Sequence, residues 1–338
     1  MMYYRPILQM GPRPEGALSL AGGWCWFTHA SACARGADPV RIAAAEVPED
    51  VLTRLTAPRV PVAGIRFDRP SIMGILNVTP DSFSDGGKFD GVEAALAQAR
   101  AMMRADILDI GGESTRPGAG LVEVETEIAR TVPVIAALCA ERGRTGGFGG
   151  PISIDTRKAA VARAAVAAGA DLVNDVSAMQ FDAQMAQVMA QSGAPVCLMH
   201  AQGAPDTMQD DPHYADVLFD VYDALAARVA EAEAAGIARD RILLDPGIGF
   251  GKTQAHNLEL LRGIGLFHGL GCPILLGVSR KRFIGAIGDA PEASARMPGT
   301  LAVTLAALGQ GVQMHRVHDV NEIAQGIALW RAVMMGEM

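Results

Sequence analysis

Residues 72–88 read IMGILNVTPDSFSDGGK, and the fold turns on how this stretch changes character. The run 72–78 is apolar, short and β-compatible, whereas Thr79, Pro80, Asp81, Gly86 and Gly87 are turn-formers that stop a helix from running through it. The chain therefore leaves a buried strand and enters a loop. That loop gathers Asn77, Thr79, Asp81, Ser82, Ser84 and Asp85 around one apolar residue, Phe83. So many oxygen donors exceed what a simple connection needs.

The same event recurs along the chain. Strands are expected at 72–77, 107–110, 152–154, 172–173, 195–199, 241–244, 273–276 and 313–316, each followed by a polar or glycine-rich stretch. Helices are expected at 92–104, 122–141 with a kink or restart at Pro133, 158–168, up to about residue 235 after the fifth strand, and at the C-terminus. Eight strand-then-helix units are what a closed (β/α)8 barrel requires, so the fold class is α/β, a TIM barrel. An open doubly wound sheet is the alternative. Closure is favoured because only a barrel brings all eight carboxyl ends to one mouth. Residues 1–69 do not share the pattern and read as an N-terminal extension, with a short helix near 48–55. The barrel domain is placed at 70–338.

Composition narrows the function. The 338 residues are 50% hydrophobic with a net charge of −8, which argues against nucleic acid or an anionic membrane surface as partner. No apolar run approaches the roughly 20 residues of a membrane helix. The stretch GALSLAGGWCWFTHASACARG has a small-residue end like a signal cleavage site, but Glu15, Trp24, Trp26 and His29 interrupt or flank its core. Cys25, Cys33, Cys139, Cys197 and Cys272 are odd in number and lack zinc-like spacing, so reduced thiols and a cytoplasmic location are expected.

The residues after the strands form two chemical sets. Asp155, Asn174 and Asp245 suit the hydrogen-bonding edge of a flat heterocycle, since a carboxylate accepts paired N–H bonds and an amide both donates and accepts. Asp and Asn in such places also commonly cap the next helix. Arg116, Lys281, Arg316 and His318, with the Thr115 hydroxyl and the Asn77 oxygen, suit a diphosphate and a Mg2+ shared with it. DPGIGFGKT is not a Walker loop: only Ile248, Gly249 and Phe250 separate Gly247 from Gly251. Its glycines are expected to let backbone lie against a flat ligand, with Phe250 and Lys252 at the rim. A zinc site at His200 and His213 is weakly supported, and Cys197 reads as core.

In order and spacing, NVTPDSFSDGG, GGESTRPG, ISIDT, NDVSA, LMH, DPGIGFGKT, GVSRKRFIG and RVHDV closely resemble the dihydropteroate synthases, from about residue 70 to the C-terminus. The resemblance implies a (β/α)8 barrel that condenses a dihydropterin methyl diphosphate with 4-aminobenzoate, releasing diphosphate. It implies pterin contacts at Asp155, Asn174, Asp245 and Lys281, and diphosphate contacts at Thr115, Arg316 and His318. Asn77 is implied as the Mg2+ ligand. Phe83, Ser84, Thr115, Arg116 and Pro117 would close over the site, and Phe83, Arg116, Pro117, Phe250 and Ser279 would form the aminobenzoate pocket. Catalytic roles fall to Asp155, Lys281, Arg316 and His318, without a covalent intermediate. A homodimer is implied, with the apolar last helices as a candidate interface. Two rivals share the barrel: a corrinoid-dependent pterin methyltransferase, and a non-catalytic pterin-binding paralogue. The complete anion set argues against both.

Overall fold

The structure is a computed structural model that describes residues 1–79, 88–114, 120–203 and 207–336. The chain opens with strands β1 (Tyr3–Pro6), β2 (Leu18–Ser19), β3 (Trp26–Phe27), β4 (His29–Cys33) and β5 (Val40–Ala43), then helix α1 (Glu49–Thr56). The barrel follows as β6 (Ser71–Asn77), α2 (Lys88–Ala101), β7 (Ile107–Gly111), α3 (Val124–Glu141), β8 (Ile152–Asp155), α4 (Ala159–Ala167), β9 (Leu172–Asp175) and α5 (Met185–Ser192). It continues through β10 (Val196–Met199), α6 (Val217–Ala234), β11 (Ile242–Asp245), α7 (Gln254–Gly263), β12 (Leu275–Leu276), α8 (Arg282–Ile287), α9 (Met297–Leu308), β13 (Met314–Val317) and α10 (Val320–Met335).

Eight strands pair in parallel in the order β11-β10-β9-β8-β7-β6-β13-β12. A parallel bridge between Leu244 and Ile274 joins the two ends and closes the barrel. Closure removes both sheet edges and turns alternate side chains of every strand inward. The lowest inward layer is apolar: Met73, Ile107, Leu172, Cys197, Leu243, Leu275 and Met314 pack together. The outward faces of the strands pack on the helix ring through residues such as Leu108, Ile154, Val173, Leu198 and Leu244.

The extension has its own small core around Leu20, Phe27, Ala30, Ala44, Val47 and Leu55. Its antiparallel sheet runs β1-β4-β5, and the stretch resembling an export signal is folded here as β2, β3 and β4. Tyr3 stacks on Phe219 of α6 with ring centroids 4.2 Å apart, and Trp24 donates Nε1–H to the Leu308 carbonyl (2.9 Å). The last part of the extension belongs to the barrel. Val62 and Ile65 exchange two backbone hydrogen bonds, and together with Phe67 they join the lowest apolar layer. They plug the barrel's amino end.

Three local expectations are corrected. Helix α3 runs unbroken through Pro133, because Pro133 and Ala129, whose carbonyl it leaves free, both lie on the exposed face where water can satisfy that group. Helix α5, whose bounds no residue pattern marks, fills the gap after β9. Asp155, Asn174 and Asp245 stand within their strands rather than after them, held by register: Gly111 faces Asp155, Asp155 faces Asn174, and Met199 faces Asp245.

Candidate active site

Two residues above the apolar plug, strand alternation produces a layer of different character. Ile107 gives way to Asp109, Leu172 to Asn174, Leu243 to Asp245 and Met314 to Arg316, with Asp155 beside them. Asp109, Asp155, Asn174 and Asp245 are all buried. Buried charges of this number require partners, and the layer supplies them. Arg316 donates Nε–H to Asp109 Oδ2 (2.6 Å) and Nη2–H to Asp155 Oδ2 (2.7 Å). Asn174 Nδ2 donates to the same Asp109 oxygen (3.0 Å). The other oxygens of Asp109 and Asp155 are buried without a hydrogen-bond partner among the described residues, so the layer holds acceptor capacity that a ligand's N–H groups can use.

Electrostatics follow from burial. Burial raises the Asp155 carboxyl above its ordinary range, with the Arg316 guanidinium pulling it back and Asp109 pushing it further up. Asp245 is likewise raised by burial, opposed by Lys281. Burial lowers the Lys281 ammonium to about 8, with Asp245 resisting. Three acidic side chains, Asp109, Asp155 and Asp245, thus share the layer with the two basic ones, Arg316 and Lys281. Such a site favours a ligand that carries or develops positive charge.

The rim is built by the loops after β11, β12 and β13. In the β11 loop, Asp245 Oδ1 accepts the Gly247 N–H (2.7 Å). Lys281 donates Nζ–H to the Ile248 carbonyl and lies 4.5 Å from the centroid of the Phe250 ring. Ser279 Oγ accepts the His318 backbone N–H (3.1 Å) and meets its Nδ1 at 2.9 Å. On the opposite side, a Cβ built on Gly111 would stand 3.3 Å from Asn77 Oδ1 and 3.9 Å from Asp155 Oδ2. That missing Cβ keeps Asn77 and Asp155 open to one space.

Two expectations about DPGIGFGKT change. Gly247 has φ +69° and a Cβ there would lie 1.8 Å from the His200 carbonyl oxygen; at Gly251, with φ +60°, it would lie 2.4 Å from that of Gln202. These glycines admit the neighbouring protein backbone rather than a ligand. Lys252 is not at the rim: it is buried, with Nζ donating to the Phe250 carbonyl (2.9 Å) and meeting His200 Nδ1 at 3.0 Å. It ties the β11 loop to the end of β10.

Asp155, Asn174, Asp245, Lys281, Arg316, His318, Ser279, Phe250 and Asn77 thus gather at the carboxyl ends of the strands. Phe83, Ser84, Thr115, Arg116 and Pro117 lie outside the described residues. Cys197 belongs to the apolar plug, where burial raises its thiol well above the ordinary value. Sequence reasoning missed Asp109, whose signal was an acid two residues before Gly111 inside an apolar strand. It also missed a second buried cluster. Lys158 binds both Glu113 and Glu127 and donates to the Val122 carbonyl (2.7 Å), while Glu113 accepts the Val122 N–H (3.2 Å) and the Arg157 guanidinium (2.8 Å). Lys158, with Arg157 beside it, thus fixes the end of β7 against the approach to α3.

A family model for the pterin binding enzymes matches residues 73–318, the span that contains every strand-end residue above. The chain belongs to the pterin-binding enzyme family. Among its relatives, the dihydropteroate synthase of Synechocystis sp. is 45% identical over 291 residues, 83% of this chain and 99% of that one. The dihydropteroate synthase of Xanthomonas albilineans, solved with 4-aminobenzoic acid, superposes with a TM-score of 0.74 at 46% identity, covering 82% of this chain and 98% of that one. The structure of the same organism's enzyme with 7,8-dihydropteroate gives 0.70 at 40% identity, with the same coverage of each chain.

Proposed function

We infer that the protein is a dihydropteroate synthase, joining the methylene carbon of a dihydropterin methyl diphosphate to the amine of 4-aminobenzoate in folate biosynthesis. The observation that carries this is the convergence of Asp109, Asp155, Asn174, Asp245, Lys281 and Arg316 in one buried layer, beneath a rim holding Ser279 and His318. Relatives named for this reaction, and solved with its amine substrate and its product, support it.

The carboxylates and the Asn174 amide accept and donate along the aminopyrimidine edge of the pterin. The C–O bond to diphosphate then breaks, the amine nitrogen forms the C–N bond, and the nitrogen gives up one proton. Charge separates during the step, and a layer rich in buried carboxylates stabilises the cationic pterin methylene. Arg316 and His318 hold the departing anion, with Thr115 assigned the same role, while Lys281 lies on the pterin side. An arylamine is nucleophilic when neutral, so the reaction needs neither a covalent enzyme intermediate nor a triad. Phe83, Arg116, Pro117, Phe250 and Ser279 are assigned to the aminobenzoate side.

We assign Asn77 to Mg2+. Among the described residues no group of three His, Cys, Asp or Glu converges as a metal cage, which suits an ion held mainly by substrate phosphates with one amide oxygen from the protein. When bound, Mg2+ neutralises charge on the leaving diphosphate. We further propose a homodimer through α9 and α10, because Leu329 and Val333 of α10 are 66% and 74% exposed beside the exposed Ala302 and Ala306 of α9. A cytoplasmic location suits the five unpaired cysteines.

The test is a pair of variants. Arg316→Ala should raise KM for the diphosphate substrate far more than the Kd for a bare pterin, while Asp245→Asn should weaken the bare pterin itself. Equal losses for both ligands in Arg316→Ala, or unaltered pterin affinity in Asp245→Asn, would overturn the assignment.

A further inference from the structure

Arg280 stands between two rim residues, Ser279 and Lys281, yet its own side chain turns away from the barrel axis. Its backbone is left-handed, with φ +58°, a conformation uncommon outside glycine. The surroundings hold it there. Its N–H donates to Thr300 Oγ1 (3.0 Å) and its carbonyl accepts from Arg296 Nη1 (2.9 Å); Thr300 is fully buried. Its guanidinium forms a two-pronged contact with Asp319, Nε to Oδ2 at 2.9 Å and Nη2 to Oδ1.

Asp319 directly follows His318 and opens α10. The loops after β12 and β13 are therefore tied twice: inside by Ser279 to His318, outside by Arg280 to Asp319. A planar guanidinium against a carboxylate fixes orientation as well as distance. The left-handed residue lets Ser279 meet His318 while Lys281 reaches back to the Ile248 carbonyl and the Phe250 ring.

We propose that Arg280 and Asp319 form an outer clamp that positions Ser279 and His318 for the diphosphate step. Both are positioning residues and neither touches substrate. This rests on the site roles inferred above. Because the pair is partly exposed, with side chains 31% and 13% accessible, its loss costs little folding stability. Its effect should fall on catalysis instead. The strand-borne residues Asp155, Asn174 and Asp245 do not depend on the clamp, so bare pterin should bind as before.

The experiment measures KM for the dihydropterin diphosphate, kcat, bare-pterin Kd and melting temperature in Arg280→Ala, Arg280→Gly, Asp319→Asn and the Arg280→Ala/Asp319→Asn double variant. Each single variant should lower kcat/KM by about tenfold or more, with bare-pterin Kd within about twofold, and the double variant should be no worse than the poorer single one. Arg280→Gly, which accepts positive φ freely, should behave like Arg280→Ala, since the fork is what is lost. Additive losses, an equal loss of pterin affinity, or wild-type kinetics in Arg280→Gly would overturn the clamp. His318→Ala separates the two levels: if it leaves the diphosphate KM unchanged, the site assignment fails, whereas an effect there without one in Asp319→Asn refutes the clamp alone.

Discussion

Asp109 is the residue whose replacement tests the polar layer most sharply. It is fully buried, and its Oδ2 accepts from both Arg316 and Asn174. Asp109→Asn keeps the shape and removes the charge. Breaking one member of a buried ion pair costs roughly 3–5 kcal/mol; because Asp155 still holds Arg316, the expected loss of folding stability is at the lower end, about 3 kcal/mol. Pterin binding should suffer separately, since the guanidinium and the Asn174 amide lose the charged acceptor that orients them. A hydrogen bond to a charged group contributes about 1.5–3 kcal/mol, which corresponds to roughly 10- to 150-fold in Kd. Calorimetric titration with a pterin, alongside a denaturant melt, reads both. Wild-type pterin affinity in a folded Asp109→Asn protein would refute the layer as the pterin site.

Other consequences are independent of that one. Lys281 loses its proton above about pH 8 because burial lowers its pKa, so kcat/KM should fall as pH rises through that value, and Lys281→Arg, which stays cationic, should move the alkaline limb upward; an unshifted limb would exclude Lys281 as its source. Lys158→Met leaves the buried Glu127 without its cation and Glu113 with Arg157 alone, and should cost about 3 kcal/mol of stability by urea melt; a loss under about 1 kcal/mol would deny the cluster its structural role. Phe67→Ala empties part of the barrel plug and should cost about 3–5 kcal/mol, measured the same way, while leaving the 4-aminobenzoate KM unchanged.

Much of this architecture was legible because it repeats. An apolar strand ending in Asn, Asp or Arg occurs often enough to reveal the barrel, and carboxyl-end residues such as Asp155, Asn174 and Asp245 stand out against their strands. Asp109 was hidden by the same habit of looking at strand ends. Alternation would have found it, since Ile107, Asp109 and Gly111 share one face as Met73, Ile75 and Asn77 do.

Long-range partners were not legible. Arg280 and Asp319 lie 39 residues apart, so no local pattern joins them. Lys252 looked like a rim residue because its carbonyl partners, including those of His200 and Phe250, come from loops whose meeting only the closed barrel fixes. The extension gave no periodic signal, yet Val62, Ile65 and Phe67 complete the apolar floor. Pro133 suggested a break because sequence alone does not show that the carbonyl it frees faces water.

The most direct measurement is diphosphate release from dihydropterin methyl diphosphate with Mg2+, followed with and without 4-aminobenzoate. Release that depends on the amine, yields dihydropteroate and stops on chelation is the predicted result. Measurable pterin binding with no amine-dependent release would contradict the account, leaving a layer that holds the heterocycle without performing the condensation.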